Sequence, residues 1–133
     1  MSESGFAFEK LELYQHARAF RVRIYKLAKL LPKDEHKLNA QMRDAARSLT
    51  NNIAEGHGRF TYADRKRFML NARGSLQELV DDVNLCRDEH YAKPEHLDDL
   101  KADALSLLKK INGYMKYLRL KAVPLPAQVS EII

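Results

Sequence analysis

The stretch LDDLKADALSLLKKINGYMKYL, residues 97–118, indicates the fold class. Its apolar side chains recur at alternating spacings of three and four residues, at Leu97, Leu100, Ala104, Leu107, Ile111, Tyr114 and Leu118. Such spacing averages about 3.5 residues and places one apolar stripe along a helix, as in left-handed bundles. The stretch therefore predicts an amphipathic helix that packs against other helices.

Three more segments carry the same pattern, and strand-like alternation is absent. Their stripes run from Leu13 to Leu31, from Leu38 to Ile53 and from Phe68 to Cys86. Short connections between them make consecutive helices antiparallel neighbours. We predict an all-α, antiparallel up-down-up-down four-helix bundle over residues 1–121, followed by a C-terminal tail over residues 122–133.

The ends of the helices carry recognisable signals. Asp34 is the expected N-cap of the second helix. Gly56 and Gly58 predict that this helix ends in the left-handed conformation. Thr61, with Asp64 three residues later, resembles a capping box for the third helix.

Composition limits the class of protein. The chain has 133 residues, 23 basic against 18 acidic residues, a net charge of +5 and one cysteine. This length predicts one domain. Cys86 alone cannot form an intramolecular disulfide, and its place on the third stripe predicts a core residue. Neither an export signal nor a membrane-spanning run is present, so we expect a cytoplasmic protein and no membrane partner.

The charge is unevenly distributed along the chain. Residues 76–99 hold two basic and eight acidic residues, whereas every other part is net positive. Two interpretations remain open from charge alone: a solvated surface with accidental clusters, or a localised anion-binding face.

Two basic clusters favour the second interpretation. The first contains Arg59, Arg65, Lys66, Arg67 and Arg73, with Phe60 and Tyr62 interleaved as rings that could stack on bases. The second occupies the end of the fourth helix, with Lys109, Lys110, Lys116 and Arg119 as secondary contacts and Lys121 beyond them. In an up-down-up-down bundle both clusters lie at one end, which predicts nucleic-acid binding.

Asn52 occupies a stripe position where an apolar residue is expected. A buried polar group needs partners, because leaving it unsatisfied costs about 1–3 kcal/mol. We predict a structural polar network of Arg43, Asn52, Glu55 and Glu78 that fixes helix register; the alternative is direct contact with a ligand.

Catalytic patterns are missing from the sequence. It contains neither the Glu-x-x-His pairs of di-iron bundles nor His-Glu-x-x-His. His90 and His96 fit a solvated loop better than a cation site, and Glu78, Asp81 and Asp82 fit a solvated or salt-bridged face better than an acid/base pair. We expect a protein that is not an enzyme, with no catalytic residue, metal or cofactor.

Several motifs resemble one family. They are Leu13-Tyr14-Gln15, Ile24-Tyr25-Lys26-Leu27, Leu31-Pro32-Lys33, Gln41-Met42-Arg43, Asn52-Ile53-Ala54-Glu55-Gly56, Gly58-Arg59, Arg67-Phe68 and Gly74-Ser75. The chain resembles the 23S rRNA intervening-sequence proteins, also called S23 ribosomal proteins, over roughly residues 9–119.

The resemblance implies a small bacterial cytoplasmic bundle that assembles as a homopentamer. It also implies similarity to the accessory variability determinants of diversity-generating retroelements, which bind RNA and a reverse transcriptase. No catalytic residue is implied. The sequence thus predicts a non-enzymatic RNA-binding protein; the alternative is a protein-interaction scaffold or accessory subunit for a reverse transcriptase.

Overall fold

The computed structural model describes residues 5–122, and within them the chain forms four α-helices and no β-strand. Short 3₁₀ turns precede the first helix (Ala7–Lys10) and the second (Lys33–Glu35). The helices are α1 (Glu12–Ala28), α2 (His36–His57), α3 (Tyr62–Asp88) and α4 (Pro94–Lys121). The predicted all-α four-helix bundle is confirmed, and the predicted tail lies outside the described residues from 123 onward.

The apolar stripes meet in a single core. Phe20 and Leu27 of α1, Leu49 of α2, Leu79 of α3 and Leu107 of α4 are fully buried in it. Each such side chain contributes roughly 1.5–3 kcal/mol by leaving water. α1 and α3 each pack against both α2 and α4, whereas α2 and α4 make no close backbone approach within residues 5–122.

The connection from α1 to α2 differs from the prediction. α1 ends at Ala28, before the end of its stripe at Leu31, because the chain tightens there into hydrogen bonds between residues three apart. The prediction that Asp34 caps α2 is wrong, because Asp34 lies inside a 3₁₀ turn. In that turn the Glu35 N–H donates to the Pro32 carbonyl at 3.0 Å.

The predicted end of α2 at Gly58 is confirmed, but the predicted left-handed conformation is wrong, and Gly56 does not stop the helix. No glycine among residues 5–122 has a positive φ, and Gly58 follows the helix at φ −86°. Gly56 is buried inside α2, where α3 crosses it. A Cβ on Gly56 would lie 2.7 Å from Met69 Cε and 2.8 Å from Phe68 Cβ. The missing side chain therefore permits the close approach of α3.

The two ends of α3 are closed by local hydrogen bonds. At its start the Thr61 hydroxyl oxygen accepts from the Asp64 N–H at 3.1 Å, as the capping pattern predicts. At its end His90 adopts φ 57°, and the Tyr91 N–H reaches the Cys86 carbonyl at 2.9 Å. A left-handed residue with this bond forms a Schellman motif, so His90 takes the position glycine usually fills.

Charged side chains join α1 to α4. His16 Nε2 lies 2.6 Å from one carboxylate oxygen of Asp103, and Arg23 donates to the other at 2.9 Å and to Asp99 at 2.7 Å. Burial opposes ionisation of Asp103, but the bonds from His16 and Arg23 outweigh it and lower the pKa of Asp103. The carboxylate consequently stays charged at neutral pH and holds the two helices together.

We expect Gly56→Ala to lower the free energy of unfolding by about 1–2 kcal/mol. Crowding costs about 1–3 kcal/mol, and the better helix propensity of alanine returns up to about 1 kcal/mol. The Met69 methyl can rotate away, but the Phe68 Cβ moves only with the backbone of α3. Urea denaturation followed by circular dichroism measures the change.

Gly74→Ala is the matched control, because no atom lies within 4 Å of a Cβ built there. It should stabilise α3 by about 0.5–1 kcal/mol. Equal effects of the two substitutions would contradict the close-approach explanation.

Candidate nucleic-acid interface

Four of the nine predicted contact residues line one groove between α3 and α4. Lys66 and Arg73 come from α3, Lys116 and Arg119 come from α4, and Tyr62 lies among them. We call this recess, of about 250 Å³, the basic groove. Arg73 is held in place by a hydrogen bond of 2.9 Å to the Asn112 side chain. The predicted meeting of the two basic clusters is thus present in the structure.

Arg65 lies in a smaller recess beside the basic groove. Phe60, Tyr62 and Lys121 line the same recess, which has a volume of about 230 Å³. The Arg65 side chain donates to the backbone carbonyl of Arg59, which orients its guanidinium along the α2–α3 turn. Lys121, counted in the α4 cluster but left out of the predicted contact set, therefore belongs to this surface.

Arg59 and Arg67 both contact one aromatic ring, that of Phe68. Their guanidinium carbons are 4.8 Å and 4.5 Å from the centre of the Phe68 ring. Arg59 also pairs with Glu55 at 3.1 Å, and Arg67 pairs with Asp64 at 3.4 Å. Exposed ion pairs of this kind are weak, so both arginines still add positive potential, but neither lines the basic groove.

The remaining two predicted contacts lie away from the basic groove. Lys110 pairs with Glu12 of α1 at 3.0 Å, on another side of α4. Lys109 is exposed and is not among the lining residues of the groove. Charge counting along a helix could not separate these lysines from Lys116, because the face of α4 that meets α3 is decided by packing.

A hydrogen bond that sequence patterns did not reveal links α2 to α4 beneath this surface. His57 Nδ1 lies 2.6 Å from the hydroxyl oxygen of Tyr114. Burial and then the nearby Arg65 lower the pKa of His57, so its ring is neutral at pH 7. Burial also raises the pKa of Tyr114, so its hydroxyl keeps its proton. A hydrogen bond between two neutral side chains thus connects the end of α2 to the end of α4.

Asn52, Arg43 and Glu55, three residues of the predicted polar network, have separate partners in residues 5–122. Asn52 donates to the Ser48 carbonyl at 2.8 Å and to its hydroxyl at 3.1 Å. Ser75 of α3 donates to the same Ser48 hydroxyl at 2.9 Å, so serines rather than charged groups connect α2 to α3.

The charged residues of the predicted polar network have other surroundings. Arg43 lies over the Tyr25 ring, 4.9 Å from its centre, and Glu55 pairs with Arg59. Glu78 is exposed. The partners of Asn52 were missed because small hydroxyl side chains give no distinctive sequence signal.

The acidic stretch, residues 76–99, covers the second half of α3 and the start of α4. Glu35 at the start of α2 accepts a hydrogen bond of 2.7 Å from Tyr91, which follows α3. His90 and His96 are exposed, as predicted. Cys86 is confirmed as a core residue, and burial, with Asp82 nearby, raises the pKa of its thiol to about 11.

Asp82 departs from the predicted solvated or salt-bridged face. It is half-buried, and its Oδ2 has no hydrogen-bond partner in the described part of the chain. Burial, followed by repulsion from Glu78 and Asp81, raises the pKa of Asp82 to about 6. Residues 5–122 hold no group of three side chains suited to a metal ion.

These features define the class of the protein as a four-helix bundle with a basic groove between α3 and α4. Its sequence matches the family model of the 23S rRNA-intervening sequence protein over residues 9–113, and the chain belongs to that family. No curated protein matches the sequence. None of the helices described here has the long apolar run that crossing a membrane needs.

We expect Asp82→Asn to stabilise the protein at pH 7 but not at pH 4. The pKa of Asp82 is about 6 in the fold against 3.8 in the unfolded chain. The native state therefore binds the proton more tightly, and the wild type loses stability as the pH rises from about 4 to about 6. The full shift corresponds to about 3 kcal/mol, and partial solvation reduces the expected gain to about 1–2 kcal/mol.

Chemical denaturation at both pH values measures this difference, with the wild type at pH 4 as the internal reference. A gain of the same size at pH 4 and pH 7 would contradict a charged, poorly solvated Asp82.

Proposed function

We propose that this protein is a non-enzymatic RNA-binding bundle that contacts phosphates through its basic groove and reads little sequence. The observation that carries the proposal is the meeting of Lys66, Arg73, Lys116 and Arg119 from two helices in one recess. Membership of a family whose description refers to 23S rRNA is consistent with an RNA partner.

We infer that consecutive helices run in opposite directions. This arrangement supports the proposal that both basic clusters lie at one end of the bundle. Ser48 contacts Ser75, while Gly56 lies against Phe68, so later positions in α2 meet earlier positions in α3. The same reversal relates α3 to α4, where Arg73 meets Asn112 and Arg87 pairs with Asp98.

Binding through such a groove is electrostatic. Lysine and arginine side chains neutralise phosphates and release condensed counterions, so affinity falls steeply with salt. Contacts to the backbone position a nucleic acid without identifying its bases. The acidic residues at the other end of the bundle repel a polyanion. This repulsion orients the polyanion toward the basic groove.

A second candidate function is a protein-interaction scaffold, including an accessory subunit for a reverse transcriptase. The observation in its favour is an apolar groove of about 620 Å³ between α3 and α4, which includes Leu76, Val80, Leu105 and Leu108. Leu105 is 52% exposed there. The resemblance to homopentameric proteins makes a second copy of this chain the first expected occupant.

We expect the triple variant Lys66→Ala, Lys116→Ala, Arg119→Ala to bind structured RNA more weakly. Each lost phosphate contact removes roughly 0.7–0.9 from the slope of log affinity against log salt, so the slope should fall by about 2–3. Arg73 stays unchanged because it also bonds to Asn112. Fluorescence anisotropy at several salt concentrations measures both quantities.

The matched control removes three charges from the other end, with Lys26→Ala, Lys29→Ala and Lys37→Ala. All three lysines are exposed, near the end of α1 and the start of α2. The control should keep the wild-type slope. Equal losses in both triple variants would mean that net charge, not the basic groove, carries the binding.

We expect Leu105→Glu to reduce the native mass toward the 15.4 kDa of one chain, because a carboxylate in an apolar contact is costly. Native mass spectrometry measures the assembly. Leu30→Glu is the control, since Leu30 is 57% exposed at the end of α1, away from the apolar groove. An unchanged mass for Leu105→Glu would exclude this face from self-assembly.

A further inference from the structure

Three recesses adjoin one another around the α2–α3 turn. The largest, of about 680 Å³, lies between Phe8 and Phe60, and we call it the aromatic cleft. Phe60 also lines the small recess that holds Arg65 and Lys121. Tyr62 lines that recess and the basic groove. Neighbouring recesses thus share an aromatic residue, Phe60 in one case and Tyr62 in the other.

Phe60 is 98% exposed, the largest exposed fraction among the large apolar side chains described. Its aromatic neighbours already have partners: Phe68 contacts two arginines, and Tyr62 has Lys66 over its ring at 5.9 Å. Phe8, which lines the same cleft as Phe60, contacts Tyr14 edge-on, with ring centres 4.8 Å apart. Among residues 5–122, Phe60 therefore offers an exposed ring for stacking at the edge of the aromatic cleft.

The polar groups of the aromatic cleft differ from those of the basic groove. Glu55 and Asp64 contribute carboxylates, Asn51 contributes an exposed amide, and Arg59, which pairs with Glu55 at 3.1 Å, contributes a guanidinium. Carboxylates repel phosphate, but they and the amide oxygen accept hydrogen bonds from the amino groups of nucleobases. The volume of the cleft is within the range of roughly 300–1,000 Å³ that is typical of small-ligand sites.

We propose that the aromatic cleft binds an unpaired base of a single-stranded nucleic acid whose phosphates follow the basic groove. The base stacks on Phe60, and its amino groups face Glu55 and Asn51. This inference rests on the proposed function and adds a requirement to it: the ligand exposes at least one unstacked base near the basic groove. A paired duplex does not offer such a base.

The charge of the neighbouring recesses favours this occupant over an apolar peptide. The recess next to the aromatic cleft contains Arg65 and Lys121, and the basic groove next to that recess contains four cations. Alternating aromatic and cationic side chains are typical of surfaces that hold single strands, because rings stack on bases while cations follow the backbone.

The test compares wild type with Phe60→Leu, which keeps an apolar side chain but removes the ring. The probes are a single-stranded RNA of about 12 nucleotides, the same strand with abasic positions, and a blunt duplex. Phe60→Leu should weaken binding of the intact strand by roughly 5- to 100-fold. The salt slope should stay unchanged, and the abasic strand and duplex should bind both proteins alike.

Two controls accompany this variant. Phe60→Tyr keeps the ring and should retain wild-type affinity, and Leu30→Ala removes an exposed apolar side chain elsewhere. Because Phe60 is almost fully exposed, the variants should fold, which circular dichroism checks.

The outcomes separate the inference from the proposed function. If wild type binds RNA with a steep salt slope while Phe60→Leu binds the intact strand equally well, base capture is wrong and the proposed function stands. If wild type binds none of the three probes, the proposed function fails and base capture fails with it. If Phe60→Leu instead lowers the native mass, Phe60 belongs to a protein contact and the inference is overturned.

Discussion

The close approach of α2 and α3 at Gly56 is the constraint on which the rest of the basic end depends. Without a Cβ there, α3 lies directly against α2, with Phe68 and Met69 over the glycine. The chain can then reverse between His57 and Tyr62, and Thr61 caps the new helix. A wider separation of the two helices would move the first turns of α3, which carry Tyr62, Arg65, Lys66 and Arg67.

Polar contacts complete the positioning that this packing begins. The bond between His57 and Tyr114 connects α2 to α4, although these helices make no close backbone approach in the described range. The contacts of His16 and Arg23 with Asp103 likewise connect α1 to α4. Buried hydrogen bonds of this kind are directional, so they select one arrangement among the many that an apolar core tolerates.

Charge is unevenly distributed over the described helices. Lys66 and Lys116 line one recess, whereas Asp82 and Glu35 lie near the Cys86 thiol, in the last turn of α3. The acidic stretch has a cost in stability, since Asp82 remains charged at neutral pH without a hydrogen bond to its Oδ2. A net charge of +5 therefore understates the positive potential at the basic groove.

The sequence by itself determined the helical class, the four stripes and the two basic clusters, because helical periodicity and charge are local properties of the chain. The sequence also predicted the capping of α3 by Thr61, since the donor and the acceptor lie three residues apart. Only the tertiary structure decided that Gly56 serves helix contact, that Asn52 bonds to Ser48, and that Lys116 rather than Lys110 enters the basic groove. Those outcomes depend on how each helix is rotated against its neighbours, and that rotation is set by packing of side chains distant in sequence.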